Sequence, residues 1–347
     1  MVLERVKAWK EIFKLAKTRN VQAEVNEYFR NNIIQSLTNM GWFEFLQTPR
    51  TVDEIVVKFN VEDIEYLGEI LRTLMSDDTL IKISSDRYLC NGNHSIKPNV
   101  DPKVFNASIK QLLWTYADFI PKKLRGEDIS FSGGINLFDW DDALSLFMYQ
   151  QIRKAAFAYG NPLKNPGKFL DIGCGNGTQT VGMWIECLKR NLFRGERPVQ
   201  LYGIEIDKGL LDIAQNEFLR LVRKQIDLPE EVILRYKEFF PKFSWGNIVN
   251  IPFENNTFDY VYTSQVIHWT DPIASIRELY RVLRPNGIAF GTESFLGGSD
   301  LYANLHVKVI KGAYGFFTKK DMTKWAKQAG FNAISYTTPT TIFKFIK

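Results

Sequence analysis

Three glycines at alternate positions follow a short apolar run that contains an aspartate. In chain order the residues are Phe169, Leu170, Asp171, Ile172, Gly173, Cys174, Gly175, Asn176 and Gly177. Because glycine has no Cβ, a loop of this kind lets the backbone turn sharply and approach a ligand within contact distance. A strand, a glycine turn and a helix N-terminus together form a site for a nucleotide cofactor.

The spacing of these glycines bears on which cofactor the loop would hold. In the dinucleotide fingerprint, Gly-x-Gly-x-x-Gly, the pyrophosphate lies on the helix N-terminus. Here the third glycine, Gly177, comes one residue early. Asp171 would face the anionic part of a dinucleotide, whereas its carboxylate suits a cationic ligand with an ammonium group. The loop therefore predicts a nucleoside cofactor that carries positive charge.

A second acid ends the next apolar run, which is Leu201 to Ile206. A carboxylate at the end of the strand after the glycine loop can accept hydrogen bonds from both ribose hydroxyls. Glu205 has the offset from the glycines that this role needs, and we expect the adjacent Ile206 to contact the cofactor as well. Asp207 fits the N-cap of the following helix.

A third segment, Gly246 to Val261, reads Gly-Asn-Ile-Val-Asn-Ile-Pro-Phe-Glu-Asn-Asn-Thr-Phe-Asp-Tyr-Val. It resembles the Gly-Asp-Ala-x-x-Leu-Pro-Phe-x-x-x-x-Phe-Asp segment of the class I S-adenosylmethionine-dependent methyltransferases. The glycine loop resembles their first motif, and residues 276–288 and 316–331 resemble their later elements. The resemblance covers residues 165 to 347. It implies an α/β fold with a Rossmann-like doubly wound sheet, and S-adenosyl-L-methionine as the cofactor.

The same resemblance assigns further cofactor contacts. In the family, an acid at the position of Asn247 accepts a hydrogen bond from the adenine amino group, and the side-chain carbonyl of asparagine can accept that bond too. Ile248 would pack on the adenine ring. Ser264 and Gln265 match positions whose backbone closes over the methionine end. Cys174 is expected to touch the cofactor with its backbone, because no base partner for a nucleophilic thiol is evident.

The reaction implied by this cofactor needs alignment of donor and acceptor, and a hydroxyl acceptor also needs a base. Of the three histidines, His268 lies just past the fourth strand of the predicted sheet. His268-Trp269-Thr270-Asp271 is one residue shorter than the His-Asp-Trp-Ser-Asp segment that carries the base of small-molecule O-methyltransferases. His268 is the candidate base, and a packing or polar-contact role is the alternative. His306 is the second candidate, and His94 is expected at the surface.

Several functions compete. The leading one is methyl transfer to the hydroxyl oxygen of a small apolar or aromatic acceptor. C-methylation of a quinone or lipid precursor is the alternative, followed by RNA methylation through the basic segment 189–197 and by a regulator that senses the cofactor. Ser264-Gln265 replaces the motif of amino-group methyltransferases, which disfavours nucleobase amines. No carboxylate and histidine cluster has metal-ligand spacing, so no metal is expected.

The chain is expected to form three regions. Residues 1–100 have the order of a winged-helix-like helical domain. Residues 101–160 are expected to form a helical linker or lid and a dimerisation region, and residues 161–347 the S-adenosylmethionine-binding domain. The helix in the recognition position carries Glu62, Asp63, Glu65 and Glu69 against Arg72 alone. A helix for the major groove needs a basic face, so we expect no DNA binding. The resemblance to the dimerising domain of O-methyltransferases implies a homodimer through the N-terminal helices.

Composition sets the remaining bounds. The chain has 347 residues, 45% of them hydrophobic and 24% charged, which is typical of a globular protein. No apolar run approaches the roughly 20 residues of a membrane span. Three scattered cysteines suggest no disulfide framework, and Met1 to Lys17 lacks a signal-peptide core. A cytoplasmic location is the resulting expectation, and a net charge of +5 permits an anionic partner without requiring one.

Overall fold

The computed structural model describes residues 2–13, 21–130, 147–297, 301–337 and 342–347. Phe138 and Trp140, which belong to the predicted aromatic lid, lie outside these ranges. The chain divides into two compact units. The sheet unit comprises residues 1–15, 148–295 and 317–347, and the helical unit comprises residues 16–147 and 296–316. The division predicted at residues 100 and 160 is a different partition and stays a proposal.

The helices of the described residues are α1 (Val2–Phe13), α2 (Val21–Asn39), α3 (Trp42–Phe45), α4 (Val52–Phe59), α5 (Ile64–Ser76), α6 (Ala107–Asp118), α7 (Ile120–Leu124), α8 (Phe147–Gly160), α9 (Thr178–Lys189), α10 (Lys208–Asn216), α11 (Phe218–Gln225), α12 (Glu230–Leu234), α13 (Pro272–Val282), α14 (Leu301–Lys308) and α15 (Lys319–Ala329). Short 3-10 turns cover Lys237–Phe239 and Ile267–Trp269. None of the helices in the described ranges is long and apolar enough to cross a membrane.

The strands are β1 (Arg50–Thr51), β2 (Leu80–Lys82), β3 (Arg87–Cys90), β4 (Lys168–Ile172), β5 (Gln200–Glu205), β6 (Lys242–Trp245), β7 (Phe258–Ser264), β8 (Leu283–Thr292), β9 (Ala333–Tyr336) and β10 (Ile342–Ile346). The first three form a small antiparallel sheet in the order β1-β3-β2. The other seven form one sheet in the order β6-β5-β4-β7-β8-β10-β9. The large sheet belongs to the sheet unit and the small one to the helical unit.

Local signals of the sequence account for the helical unit. Gly41 follows the end of α2 and has a φ of 76°, which suits glycine. Thr51 and Glu54 form a capping box at the start of α4. Strands β2 and β3 pair as an antiparallel hairpin. His94 is partly buried rather than at the surface, because its ring stacks on Phe43 with centroids 4.7 Å apart.

A partly buried ionic contact joins distant parts of the helical unit. The Asp77 carboxylate accepts hydrogen bonds from Arg30 Nε and from the Tyr302 hydroxyl, each at 2.7 Å. Arg30 lies on α2 and Tyr302 on α14, which is more than two hundred residues further along the chain. Since both donors meet one carboxylate, this contact helps to fix α14 within the unit.

Parallel pairing places the ends of several strands at one edge of the large sheet. Ile172 of β4 pairs with Ile204 of β5 and with Thr263 of β7. In the same direction Ser264 of β7 pairs with Thr292 of β8. This order matches the dinucleotide-binding type of doubly wound sheet as far as β8, and β10 then runs antiparallel between β8 and β9. Ligands of such sheets bind beyond the carboxyl ends of the strands.

Successive side chains of a strand point to opposite faces, and both faces here are covered. Phe169 of β4 packs in one apolar cluster with Trp184 of α9, whereas its neighbour Leu170 packs in a second cluster with Leu279 of α13. Because Asp171 is two residues from Phe169, its side chain lies on the Phe169 face. Helices on both faces of a mostly parallel sheet confirm the predicted α/β class.

Strands β6, β9 and β10 are absent from the sequence-based prediction. β6 is a four-residue edge strand, and short edge strands carry little periodic signal. In β10 the sequence Ile-Phe-Lys-Phe-Ile has a charged residue at its centre, yet Lys344 is buried with its neighbours. Its ammonium donates to the carbonyl oxygen of Tyr159 at 3.2 Å, and this contact in the folded chain offsets part of the cost of burial.

Candidate cofactor and catalytic site

The loop between β4 and α9 has the backbone conformation that its glycines permit. Gly173, Gly175 and Gly177 have φ angles of 66°, 56° and 83°. A Cβ at Gly173 would stand 2.5 Å from Val266 Cγ2, whereas a Cβ at Gly175 would meet nothing within 4 Å. Packing therefore excludes a side chain at Gly173, and Gly175 turns its open side to the space that a ligand could enter.

Hydrogen bonds join the β4–α9 loop to strand β5. The amides of Gly173 and Cys174 both donate to the carbonyl oxygen of Ile204, at 2.9 and 3.1 Å. Gly175 N donates to Glu205 Oε2 at 2.9 Å. The predicted ribose acid and the middle glycine thus lie in direct contact, which confirms that β4 and β5 bring them together.

Glu205 is buried, and hydrogen bonds from backbone amides hold its carboxylate in place. Its Oε1 accepts from the amides of Ile206 and Asp207 at 2.8 and 2.9 Å. Burial raises the pKa of Glu205, and the bonds from Asp207, Gly175 and Ile206 oppose that rise. A carboxylate has about four lone-pair sites, so three backbone bonds leave capacity for a hydroxyl donor.

Asp171 is more deeply buried. Thr180 Oγ1 of α9 donates to Asp171 Oδ2 at 2.7 Å. Burial is the main reason that the pKa of Asp171 rises to about 7, and the nearby negative charge of Glu205 raises it further. The bond from Thr180 and the positive charge of Arg153 on α8 act in the opposite direction. The sequence analysis did not single out Arg153 or Thr180, since neither belongs to a motif.

Two buried carboxylates beside an open glycine loop make an electrostatic site for a cation. Burial raises the pKa of both carboxyl groups, and the negative charge of Glu205 adds to the rise at Asp171. A ligand with positive charge at this place would favour the ionised carboxylates, whereas a pyrophosphate would be repelled. The arrangement therefore fits S-adenosylmethionine, which carries a sulfonium and an ammonium, and agrees with the prediction made from Gly177 and Asp171.

The predicted adenine side lies around the ends of β5 and β6. Ile206 is 49% exposed, and its carbonyl oxygen accepts from Trp245 Nε1 at 3.1 Å. Asn247 Oδ1 already accepts a bond from the Val249 amide at 3.1 Å, which leaves one of its lone pairs for an adenine amino group. Ile248 is buried in the core cluster below the sheet. Their predicted contacts with adenine remain proposals.

An arginine and a glutamate of α13 hold the loop that follows Asn247. Arg281 donates to the carbonyl oxygens of Ile251 and Phe253, at 2.8 and 2.7 Å. Glu278 pairs with Arg281 and also accepts from the Ile251 amide at 2.7 Å. These bonds satisfy the backbone of an irregular loop and thereby fix the position of Asn247.

The turn after β7 carries the next predicted residues. Gln265 has a φ of 58°, which is rare for a residue other than glycine. Ser294 Oγ donates to Gln265 Oε1 at 2.7 Å, and the hydroxyls of Ser264 and Thr292 lie 2.7 Å apart. These contacts join the ends of β7 and β8 and account for the strained turn at Gln265.

The candidate base has a partner that the sequence analysis missed. His268 Nδ1 is hydrogen-bonded to Glu293 Oε1, and both side chains are buried, at 3% and 0% exposed. Glu293 also accepts from the amides of Ile267 and Ser294, each at 3.0 Å. A carboxylate on Nδ1 fixes the imidazole so that Nε2 is the basic nitrogen. Glu293 directly follows the end of β8, and Glu205 is the last residue of β5. An acidic residue at a strand end is thus the signal that could have identified Glu293.

His306, the second candidate base, belongs to the helical unit. Its Nδ1 donates to the carbonyl oxygen of Tyr302 at 2.9 Å, and its ring lies edge-on to Phe29. Nε2 has no hydrogen-bond partner among the described residues. Burial lowers the pKa of His306 to about 4, so the imidazole is neutral at physiological pH. Unlike His268, it has no carboxylate bonded to its ring in the described structure.

Among the described residues, no group of three or more histidine, cysteine, aspartate or glutamate side chains is arranged to hold a metal ion. Cys174 is buried, and burial raises the pKa of its thiol well above the usual value. The thiol is therefore protonated at neutral pH, which fits the expectation that it is not a nucleophile.

Comparison with known proteins places this site in a family context. The family model described as a methyltransferase domain matches residues 170–291. An uncharacterised methyltransferase of Schizosaccharomyces pombe is 36% identical over 141 residues, which cover 40% of this chain and 44% of that protein. The chain spans about half the length of the curated relatives that it matches.

Several solved structures match nearly the whole chain. The DszA carbon methyltransferase has a TM-score of 0.69 at 14% identity, with 97% of this chain and 93% of that one covered. The carbon methyltransferase domain of the citrinin polyketide synthase has a TM-score of 0.65 at 15% identity, with 99% and 94% covered. At these identities the likeness establishes a shared fold. The match over residues 170–291 and the shared fold identify a methyltransferase domain in this chain, and S-adenosylmethionine is its cofactor.

Proposed function

We propose that the protein transfers the methyl group of S-adenosylmethionine to an acidic carbon of a small acceptor. The observation that carries this proposal is the buried pair of His268 and Glu293 at the ends of β7 and β8. The pair lies on the same sheet edge as the glycine loop. A base that is held by a carboxylate suits an acceptor whose reacting atom must lose a proton.

The cofactor residues have distinct roles in this proposal. Asp171 holds the ammonium group, and Glu205 accepts from the ribose hydroxyls. Gly175 lets the backbone approach the nucleoside, and Ile206 and Asn247 contact the adenine. When bound, S-adenosylmethionine supplies an electrophilic methyl group on a positively charged sulfur. The chain's own contribution is to align the two reactants and exclude water.

His268 acts on the acceptor. Its Nε2 takes the proton from the acceptor atom, and the electron pair left behind forms the new bond to the methyl carbon, as the bond from that carbon to the sulfur breaks and its electron pair stays on the sulfur. Glu293 keeps Nδ1 protonated and stabilises the imidazolium that results. Its own bonds from the Ile267 and Ser294 amides hold the carboxylate in one orientation. Glu293 is a positioning residue, since it acts through His268.

Carbon is favoured over oxygen by the similar structures. A carbon methyltransferase matches the whole chain at a TM-score of 0.69, whereas a putative O-methyltransferase of Nostoc punctiforme that also covers 97% of this chain matches it at 0.50. A hydroxyl acceptor is the second candidate, because the same buried pair would also deprotonate a phenol. The predicted resemblance to O-methyltransferases with an N-terminal dimerisation domain supports that candidate and remains a proposal. Methylation of RNA and cofactor sensing are ranked below both.

The two candidates can be separated with one labelled cofactor. The purified protein is incubated with S-adenosylmethionine that carries a ¹³C methyl group and with either a β-keto thioester or a phenol. The chemical shift of the product methyl distinguishes a carbon from an oxygen attachment. Transfer to the thioester carbon supports the proposal, and transfer to the phenol alone supports the second candidate. If the protein binds the cofactor but methylates neither the thioester nor the phenol, the proposed acceptor class is wrong.

Glu293→Gln tests the pair with little change of shape. We expect kcat to fall by about 10²–10⁴-fold, which is the usual contribution of general base catalysis. Binding of S-adenosylhomocysteine should not change, because Glu293 does not contact the cofactor in this proposal. The exposed Glu254→Gln is the matched control and should leave both quantities unaltered. An unchanged kcat in Glu293→Gln would remove the pair from the mechanism.

The partners and location predicted from the sequence stay proposals. They are a homodimer through the N-terminal helices, a cytoplasmic location and no binding to DNA. Analytical ultracentrifugation over a range of concentrations tests the dimer. Retention on a DNA duplex at low and moderate salt tests whether the protein binds DNA.

A further inference from the structure

Helix α1 exposes three large apolar side chains. Val6, Trp9 and Phe13 are 47%, 39% and 63% exposed. Their spacing of three and then four residues places them on one face of the helix, and the rings of Trp9 and Phe13 lie 5.5 Å apart. Ala8, on a different face, is fully buried in the core of the sheet unit. The stripe formed by Val6, Trp9 and Phe13 is therefore held facing outward.

The same segment concentrates the positive charge of the chain. Residues 1–20 contain six basic residues (Arg5, Lys7, Lys10, Lys14, Lys17 and Arg19) and two acidic ones (Glu4 and Glu11), a net charge of +4. The whole chain has +5, so all the remaining residues together contribute +1. Lys7 and Lys10 of α1 are exposed. An outward apolar stripe thus lies within a strongly basic stretch.

We propose that α1 binds the protein to an anionic lipid surface, with the stripe inserted and the lysines at the headgroups. Interfacial helices combine aromatic side chains on one face with lysine and arginine beside it. Long lysine side chains can keep their ammonium groups in water while their stems cover apolar surface. This inference concerns a surface outside the cofactor site and does not depend on which atom is methylated.

Charge selects the lipid over another copy of the chain. A symmetric dimer through the stripe would bring two segments of +4 against each other, and like charges across an interface oppose association. An anionic bilayer offers the opposite charge and an apolar layer beneath it. The apolar stripe and the basic residues of the segment would then both contact the same bilayer.

The test uses the full chain and sedimentation with lipid vesicles. One set of vesicles contains phosphatidylcholine alone, and the other contains equal amounts of phosphatidylcholine and phosphatidylserine. Binding to the anionic vesicles only, weakened by salt, is the expected result. Lys7→Glu with Lys10→Glu should weaken binding at least about 25-fold, since each basic residue near such a surface contributes about fivefold. Trp9→Ala with Phe13→Ala should weaken it at least about tenfold through lost apolar burial.

A matched control separates this helix from total charge. Lys320→Glu with Lys324→Glu makes the same change of charge at exposed positions on α15 and should retain most of the binding. Equal losses in both double variants, or no binding by the unaltered chain, would overturn the proposal. So would a dimer, detected by ultracentrifugation without lipid, that Trp9→Ala with Phe13→Ala dissociates. Unchanged binding of S-adenosylhomocysteine in each variant confirms that the fold is intact.

Discussion

The elevated pKa of Asp171 predicts that cofactor affinity depends on pH in a particular way. In the ligand-free protein, burial and the charge of Glu205 raise this pKa to about 7. A ligand ammonium beside Asp171 requires the ionised carboxylate. Binding competence is then limited by the ionised fraction, and the apparent dissociation constant is the intrinsic one divided by that fraction.

The magnitude follows from the pKa. With a pKa of about 7, roughly one tenth of Asp171 is ionised one pH unit below that value and roughly nine tenths one unit above it. The affinity for S-adenosylmethionine should therefore rise about tenfold between about pH 6 and pH 8, which corresponds to about 1.4 kcal/mol. Binding at the lower pH should also release close to one proton from the protein.

Isothermal titration calorimetry measures both quantities when it is repeated in buffers of different ionisation enthalpy. Asp171→Asn keeps an acceptor for Thr180 Oγ1 and removes the titrating group. At about pH 8 the Asp171→Asn variant should bind S-adenosylmethionine more weakly than the unaltered protein does. Its affinity should change little with pH, and binding should release no proton. Asp212→Asn, an exposed substitution on α10, is the control and should behave as the unaltered protein.

A second ligand isolates the ammonium contact. Methylthioadenosine has the nucleoside but no amino acid group, so its affinity should not carry the Asp171 part of the pH dependence. If methylthioadenosine and S-adenosylmethionine show the same dependence, or if Asp171→Asn retains it, the assignment of Asp171 to the ammonium group is refuted.

Three further outcomes are expected. Glu205→Gln should weaken binding of S-adenosylhomocysteine by about 1.5–3 kcal/mol, the contribution of hydrogen bonds to a charged group, and calorimetry that finds equal affinity would contradict the ribose role. Gly173→Ala should lower the free energy of unfolding by about 2–5 kcal/mol, because alanine would be strained at a φ of 66° and its Cβ would stand 2.5 Å from Val266 Cγ2. Gly175→Ala should lower it by about 1–2 kcal/mol, because only its φ of 56° is unfavourable for alanine. Folding lowers the pKa of His306 from 6.5 to about 4. Between these two pH values the unfolded chain binds more protons than the folded one, so the free energy of unfolding falls as the pH falls, by up to about 3 kcal/mol. Hydrogen exchange of the helical unit should show this loss, and His306→Phe should reduce it.

Residues whose roles depend on local geometry were predictable. The positions of Gly173, Gly175 and Gly177 predicted a sharp turn of the backbone, and all three residues have a positive φ. Asp207 was expected as an N-cap, and its side chain accepts from the Leu210 amide at 2.9 Å. Caps and glycine turns involve residues within a few positions of one another, so their spacing in the sequence is also their spacing in space.

The contact between β4 and β5 was predictable for a related reason. Glu205 is thirty residues from Gly175, yet consecutive parallel strands usually lie side by side, and both residues end their strands. The rule that ligands bind at the carboxyl ends of strands then placed the glycine and the acid at one edge. The fold class and the cofactor follow from those two features.

The pair of His268 and Glu293 shows where such reasoning stops. The two residues are twenty-five positions apart, and no motif joins them. They meet because β7 and β8 pair in parallel, in a register that sets Ser264 against Thr292. That register depends on the packing of both strands between two layers of helices, which no short window of sequence contains.

The sequence by itself thus determined the glycine loop, the acid that follows it, the α/β class and the cofactor. Each of these depends on short spacing or on the alternation of strands and helices. Tertiary structure decided which carboxylate supports His268, how far burial raises the pKa of Asp171, and which face of α1 is left outward. Burial and partner distance are properties of packed elements, and their effect on charge and reactivity exists only after the chain has folded.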